Sequence, residues 1–206
     1  MALPPARASR LAHWLRALAA SFRDVPPDFR DSGTGLHNRT GLFDVADEIL
    51  RSRCGQPAAM ILVELSDLRE ACEIYGHVIA RKVIERVVRR LRRVAGLHGI
   101  AARTGPAEFT IVVPDTSTAS AVRRLERMLG KPARIEYDAA ESEIVLVPEL
   151  LVDTLDPGVD DPRDRYREMC RELARRRRVE RRRLDWLASE RERHSRPSLP
   201  SRLTPG

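Results

Sequence analysis

Cysteine, lysine and aromatic residues are scarce in this chain. The three cysteines, Cys54, Cys72 and Cys170, are odd in number and show no Cys-x-x-Cys spacing. Neither a disulfide framework nor a zinc site follows, and a reducing compartment is expected. Lysine occurs only at Lys82 and Lys131, so the positive charge is almost entirely arginine. Aromatic residues make up 4% of the chain against a hydrophobic fraction of 42%, which is thin but compatible with a folded core. No apolar run approaches the length needed to span a bilayer. Arg7, Arg10 and Arg16 break up the N-terminal apolar stretch, which therefore lacks the core of a signal peptide. The expectation is a soluble, cytoplasmic protein.

What is present fills one domain with extensions at both ends, given 206 residues. The net charge of +7 is uneven: from Pro162 to Arg196 there are fourteen arginines against seven acids, so the charge is that of a basic tail on a balanced body. Residues 1–27 form an amphipathic N-terminal helix and linker, with Leu11, Trp14, Leu15, Leu18 and Phe22 at helical spacing before Pro26-Pro27. Such a helix packs on its own domain or on a second copy, or lies on a membrane surface.

The body, 28–155, alternates helices and strands. The pattern predicts a helix from Thr40 to Arg53, a buried strand from Ala58 to Leu65, and a short helix from Asp67 to Ile74. Tyr75-Gly76-His77 turns the chain, and a long helix follows with Ile84, Val87, Val88, Leu91 and Val94 on one face. A further helix runs from Ser117 to Leu129, and strands run over Ala133–Tyr137, Glu143–Val147 and Leu150–Leu155. This is an α/β class with a mixed central sheet flanked by helices, and amphipathic helical extensions at both ends. Residues 156–196 form an Arg-rich C-terminal helix after a linker, and 197–206 are expected to be disordered.

The centre of the body is a strand–turn–strand from Arg103 to Val113, with Gly105-Pro106-Ala107-Glu108-Phe109 at its tip. The strand Ile61 to Leu65 brings Glu64 to its carboxyl end, where open α/β sheets bind ligands. Glu64 and Glu108 on neighbouring strands would begin a site for a hard divalent cation such as magnesium.

Three stretches, in order, resemble the GGDEF domain of the diguanylate cyclase family. Asp31-Ser32-Gly33-Thr34-Gly35-Leu36-His37-Asn38-Arg39 is similar to the family's Asp-x-Leu-Thr-Gly-Leu-x-Asn-Arg, with Gly33 in place of leucine. Glu64 to His77 is similar to the segment that ends in Tyr-Gly-His. Gly105, Pro106, Ala107, Glu108 and Phe109 occupy the signature Gly-Gly-Asp/Glu-Glu-Phe. The resemblance implies joining of two GTP molecules into cyclic di-GMP, with Glu64 and Glu108 as the metal carboxylates. It also implies departures. The acid that helps deprotonate the attacking hydroxyl falls at Ala107, and general-base help is worth roughly 10²–10⁴ in rate. Pro106 replaces a glycine, removing a donor and adding bulk. The guanine-reading positions fall at Cys72 and Arg81, neither able to do the work of an amide or a carboxylate. Ser66 replaces the second Asp of the strand end. The inhibitory product site would need Arg and Asp where Gly96 and Gly99 stand.

The resulting expectation is a regulatory or interaction module without cyclase activity. Its partner is another protein or a second copy, and it has no cofactor beyond weakly held magnesium. Two alternatives stand beside it. One is a GTP- or metal-binding receptor without turnover. The other is a binder of nucleic acid or an anionic surface through Arg175, Arg176, Arg177, Arg178, Arg181, Arg182 and Arg183, a run that Glu180 interrupts and that acids at i,i+3 and i,i+4 spacing partly offset.

Overall fold

Ala58–Glu64 (β1) is an unbroken apolar run capped by one acid, the pattern of a strand covered on both faces. It is central. In the computed structural model, which describes residues 26–52, 56–139 and 142–195, the main sheet has the order β2-β3-β1-β6, with Ile100–Arg103 (β2), Glu108–Val113 (β3) and Glu149–Leu155 (β6) around β1. Among the described residues the strand pairs are antiparallel. The parallel element is an isolated bridge between His37 and Ala102. The antiparallel β2–β3 pair follows from its hairpin, because a tight turn can only join antiparallel neighbours. Ile135–Ala139 (β4) and Ser142–Leu146 (β5) make a separate two-stranded ribbon.

Register assigns the faces. Ala59, Ile61 and Val63 lie opposite Val113, Ile111 and Phe109, and all six join one buried cluster with Val83, Val87, Leu91 and Val94 of the helix Asp67–Ala95 (α2). Leu125 and Leu129 of Thr118–Leu129 (α3) and Ile135, Ile144 and Leu146 of the ribbon complete it. The alternate residues Met60 and Leu62, opposite Val112 and Thr110, are also fully buried. They belong to the opposite face, as do Glu64 and Glu108. Leu42, Ala46 and Leu50 give Arg39–Ser52 (α1) its buried stripe.

The helix boundaries follow local chemistry. Ser117 accepts the Ser120 N–H at 3.4 Å and caps α3. Gly76 sits inside α2 with φ 73° and ψ 174°, a backbone open to glycine alone, so Tyr75-Gly76-His77 turns the chain as expected between a short and a long helical piece. Pro162–Ser195 (α4) is the long C-terminal helix. The chain divides into two compact units between Met169 and Cys170, so the start of α4 belongs with the sheet and its arginine run with the second unit. The expected helix around Leu11 to Phe22, Cys54, the tip of the acidic turn at 140–141 and the tail from residue 197 lie outside the described residues.

Candidate functional site: the signature hairpin

The turn at residues 104–107 is closed from both strands. The N–H groups of Thr104 and Gly105 both donate to the Glu108 carbonyl, at 3.0 and 3.1 Å. Arg103 Nη2 donates to the Pro106 carbonyl at 2.6 Å, while its guanidinium stands 6.0 Å from the Phe109 ring centre and 3.6 Å from Asp31. The Ala107 carbonyl accepts the N–H of Leu65 at 2.9 Å, tying the turn to the end of β1. The Ala107 methyl packs on the core cluster. It can neither take nor give a proton. Pro106 is exposed at the tip.

Glu64 and Glu108 are brought together as the sequence anticipates, directly opposite in the β1–β3 register. The register adds a third acid that sequence reasoning missed: Glu149 at the start of β6 lies opposite Glu64 on its other side. Glu149 immediately precedes the apolar stretch Leu150–Leu155 taken as the last strand, which in fact begins one residue earlier; its register beside Glu64 had no sequence signal. Ser66 Oγ donates to Glu149 at 3.3 Å. Despite this row, the described residues contain no group of three or more His, Cys, Asp or Glu placed to hold a metal ion.

Glu108 is instead engaged by hydroxyls. Tyr166 of α4 donates to Glu108 Oε1 at 2.5 Å, and Thr104 donates to the same oxygen at 2.6 Å. Because Thr104 spends its one proton on the carboxylate, the Thr110 hydroxyl 3.1 Å away must donate to Thr104. Both threonines are buried. Arg39 binds this assembly from the other side, donating from Nη2 to the Thr104 carbonyl at 2.6 Å and standing 5.4 Å over the Tyr166 ring. Phe43 meets the same ring edge-on at 5.5 Å. An oxygen already accepting from two hydroxyls does not fit a divalent cation at Oε1.

The opening motif is occupied with folding. Asp31 Oδ1 accepts both the N–H and the hydroxyl of Thr34, at 2.8 and 2.6 Å. Asn38 Oδ1 accepts the Gly41 N–H at 3.0 Å, capping α1, while its amide donates to the Asp28 carbonyl at 2.7 Å. Gly41 is obligatory, because a Cβ there would lie 2.5 Å from the Phe29 carbonyl oxygen. A Cβ at Gly33 would stand 3.3 Å from Arg103 Nη1, so the departure from leucine leaves space for the arginine that braces the turn. An open cleft of about 570 Å³ lies between motif and hairpin, lined by Asp31, Asn38, Arg39, Arg103, Thr104, Gly105 and Pro106. His37, half-buried beside it, is held below its ordinary pKa by burial and then by Arg30, with Asp44 opposing.

The remaining sequence candidates scatter. Cys72 packs against the edge of the core. Arg81 is exposed and pairs with Glu85 one helical turn on, at 3.3 Å. Gly96 ends α2 at φ 73°, and a Cβ at Gly99 would meet the Ala95 and Val112 carbonyl oxygens at 2.5 and 2.6 Å. A side chain at position 99 would therefore force the backbone to shift. The arginine run is exposed along most of its length in the second unit. Glu172 takes hydrogen bonds from Arg175 and Arg176, at 2.7–2.9 Å, and they pull its carboxyl down to about 2.

Comparison with known proteins gives a consistent result. The model of the family "Diguanylate cyclase, GGDEF domain" matches residues 28–147. The response regulator PleD of Caulobacter vibrioides is 29% identical over 147 residues, covering 63% of this chain and 32% of PleD. The chain thus spans about a third of that relative's length. Among solved structures, the diguanylate cyclase SiaD in complex with its activator SiaC from Pseudomonas aeruginosa aligns with a TM-score of 0.65 at 21% identity, over 84% of this chain and 67% of that one. The FimX GGDEF domain from the same organism aligns at 0.61 and 18% identity, over 71% and 91%. Both are likenesses of fold.

Proposed function

Because the chain belongs to the GGDEF domain family of diguanylate cyclases across residues 28–147, we propose that it is a member that no longer joins GTP into cyclic di-GMP. It serves cyclic di-GMP signalling through contacts with another protein or a second copy of itself. The observation that carries this reading is Ala107. At the position where the resemblance puts the acid assisting the attacking hydroxyl, a methyl group packs on the core. The neighbouring residues support the same conclusion. Glu108 Oε1 is taken by Tyr166 and Thr104, Arg81 spends its charge on Glu85, and a side chain at Gly99 would force the backbone to shift. Loss of the base alone removes roughly 10²–10⁴ in rate, and loss of guanine recognition compounds it.

A protein-directed role is supported by the solved relative SiaD, which is described in complex with its activator SiaC. A fold that has kept its core and its opening motif while altering its reactive positions retains what is needed to present a surface.

The test is incubation of the full chain with GTP and magnesium, chromatography for product, and calorimetric titration with GTP and with cyclic di-GMP. The expected outcome is no cyclic di-GMP. Binding of GTP without product would replace the interaction module by a nucleotide receptor, with Glu64→Ala and Glu108→Ala as the next variants. Formation of product would overturn the reading.

A further inference from the structure

The body is balanced in total charge but not in its distribution. Between Glu85 and Glu108 there are six arginines and no acid, and five of the six stand on the second half of α2. Arg123, Arg124 and Arg127 follow on α3 against Glu126 alone. Two contacts set the helices side by side and antiparallel. Arg90 Nη1 donates to the Met128 carbonyl at 3.2 Å, and a Cβ at Gly96 would stand 2.0 Å from Arg124 Nη2. At about 100° per residue, Arg93 and Arg89 lie about 60° and 100° round from Arg90, toward solvent. Arg124 and Arg127 lie about 40° and 100° round from Met128, again outward. Arg89, Arg93 and Arg127 are exposed, and Arg90 and Arg124 are half-buried.

Folding uses some of these side chains without neutralising them. Arg90 ties the two helices through a carbonyl, and Arg93 and Arg127 sit in last turns, where a cation suits the helix dipole. Arg89 has neither role. The acids nearby are held by other cations: Glu85 by Arg81 at 3.3 Å, Glu126 by Lys131 at 2.9 Å and Glu136 by Arg134 at 2.6 Å. Among the described residues, Arg89, Arg90, Arg93, Arg124 and Arg127 form no ion pair. Leu97, just past the Gly96 cap and so at the Arg124 end of the face, is 79% exposed.

This face narrows the choice of partner. A second copy meeting it across a two-fold axis would set arginine against arginine. Nucleic acid is gripped with the help of hydroxyl and amide side chains as well as arginine, and from Arg86 to Leu97 there is no Ser, Thr, Asn or Gln. Nor does a phosphate backbone reward an exposed leucine. An anionic bilayer offers charge across a plane, as two helices lying side by side do, and a boundary beneath the headgroups that takes up apolar side chains. We infer that α2 and α3 together dock on an anionic lipid surface, the five arginines against the headgroups and Leu97 at the acyl boundary. The inference does not depend on loss of cyclase activity, since it uses none of the signature positions.

The experiment is co-sedimentation of the full chain with vesicles of phosphatidylcholine, with and without phosphatidylglycerol, across a salt series. Binding is expected on the anionic vesicles alone and should weaken as salt rises. At about fivefold in partitioning per arginine at the surface, replacing Arg89, Arg93 and Arg127 together by alanine should weaken binding about a hundredfold. The corresponding three lysine replacements should retain it, which separates loss of charge from loss of fold. Leu97→Ser should weaken it severalfold. The exposed arginines of α4 are controlled for by repeating the comparison with Arg178, Arg181, Arg182 and Arg183 as alanine, where the three-arginine effect should remain. Equal retention on neutral vesicles, undiminished binding by the alanine variant, or failure of the lysine variant would each overturn the inference. Displacement from the vesicles by a DNA duplex that needs the same three arginines, with no effect of Leu97→Ser, would overturn it in favour of nucleic acid.

Discussion

Glu108 Oε1 accepts from two hydroxyls, and that arrangement makes Tyr166 the most informative residue to change. A hydroxyl given to a carboxylate contributes about 1.5–3 kcal/mol. Tyr166→Phe keeps the ring against Phe43 and Arg39 and removes only the donor. It should lower the free energy of unfolding by about 1–3 kcal/mol in a urea titration, with an unchanged denaturant slope. Thr104→Val goes further, because it strands the Thr110 hydroxyl as well. Gly99 is constrained by crowding. Gly99→Ala brings a methyl against two carbonyl oxygens, and overpacking of this kind costs typically about 1–3 kcal/mol. A drop in melting temperature on that substitution checks the geometry, and an unchanged melting temperature would refute it.

At the scale of elements, the loop before α1 carries a pH dependence. Burial and Arg30 hold His37 below its ordinary value of 6.5, so the unfolded chain binds this proton more readily than the folded one. The stabilisation is therefore complete above about 6.5 and is lost as pH falls from there through the folded value. Comparing the wild type with His37→Gln in urea at pH 7 and pH 5 should show the wild type losing more stability on acidification. An equal loss would remove His37 from the account. The elements themselves were largely legible in the sequence. Helical spacing in Ile84 to Val94, the apolar run Ala58–Leu65 and the glycine at 76 each announce their structure locally. The sequence placed Glu64 and Glu108 on neighbouring strands, and the register sets them directly opposite. The Tyr166–Glu108 hydrogen bond was not legible, because it joins residues 58 apart in the chain, and no periodicity signals which hydroxyl will face which acid. Glu149 was hidden for a similar reason: strand register, not spacing, sets it beside Glu64.

For the whole molecule, the altered reactive positions lie on separate elements, and that dispersal has a testable outcome. Restoring Pro106→Gly and Ala107→Glu rebuilds the signature on the hairpin but leaves Cys72 and Arg81 on α2 and Glu108 bonded to Tyr166. The double variant should still form no cyclic di-GMP when incubated with GTP and magnesium, and product from it would show that the hairpin alone was limiting. The Tyr166–Glu108 hydrogen bond has one more consequence. Any donor or cation that claims Oε1 does so at the expense of the Tyr166 hydroxyl, so occupancy at the hairpin and anchorage of the first turns of α4 are thermodynamically linked. Reciprocity makes the two effects equal in size: whatever factor a ligand at Glu108 takes from the helix start, a partner that holds the helix start in place takes from that ligand's affinity.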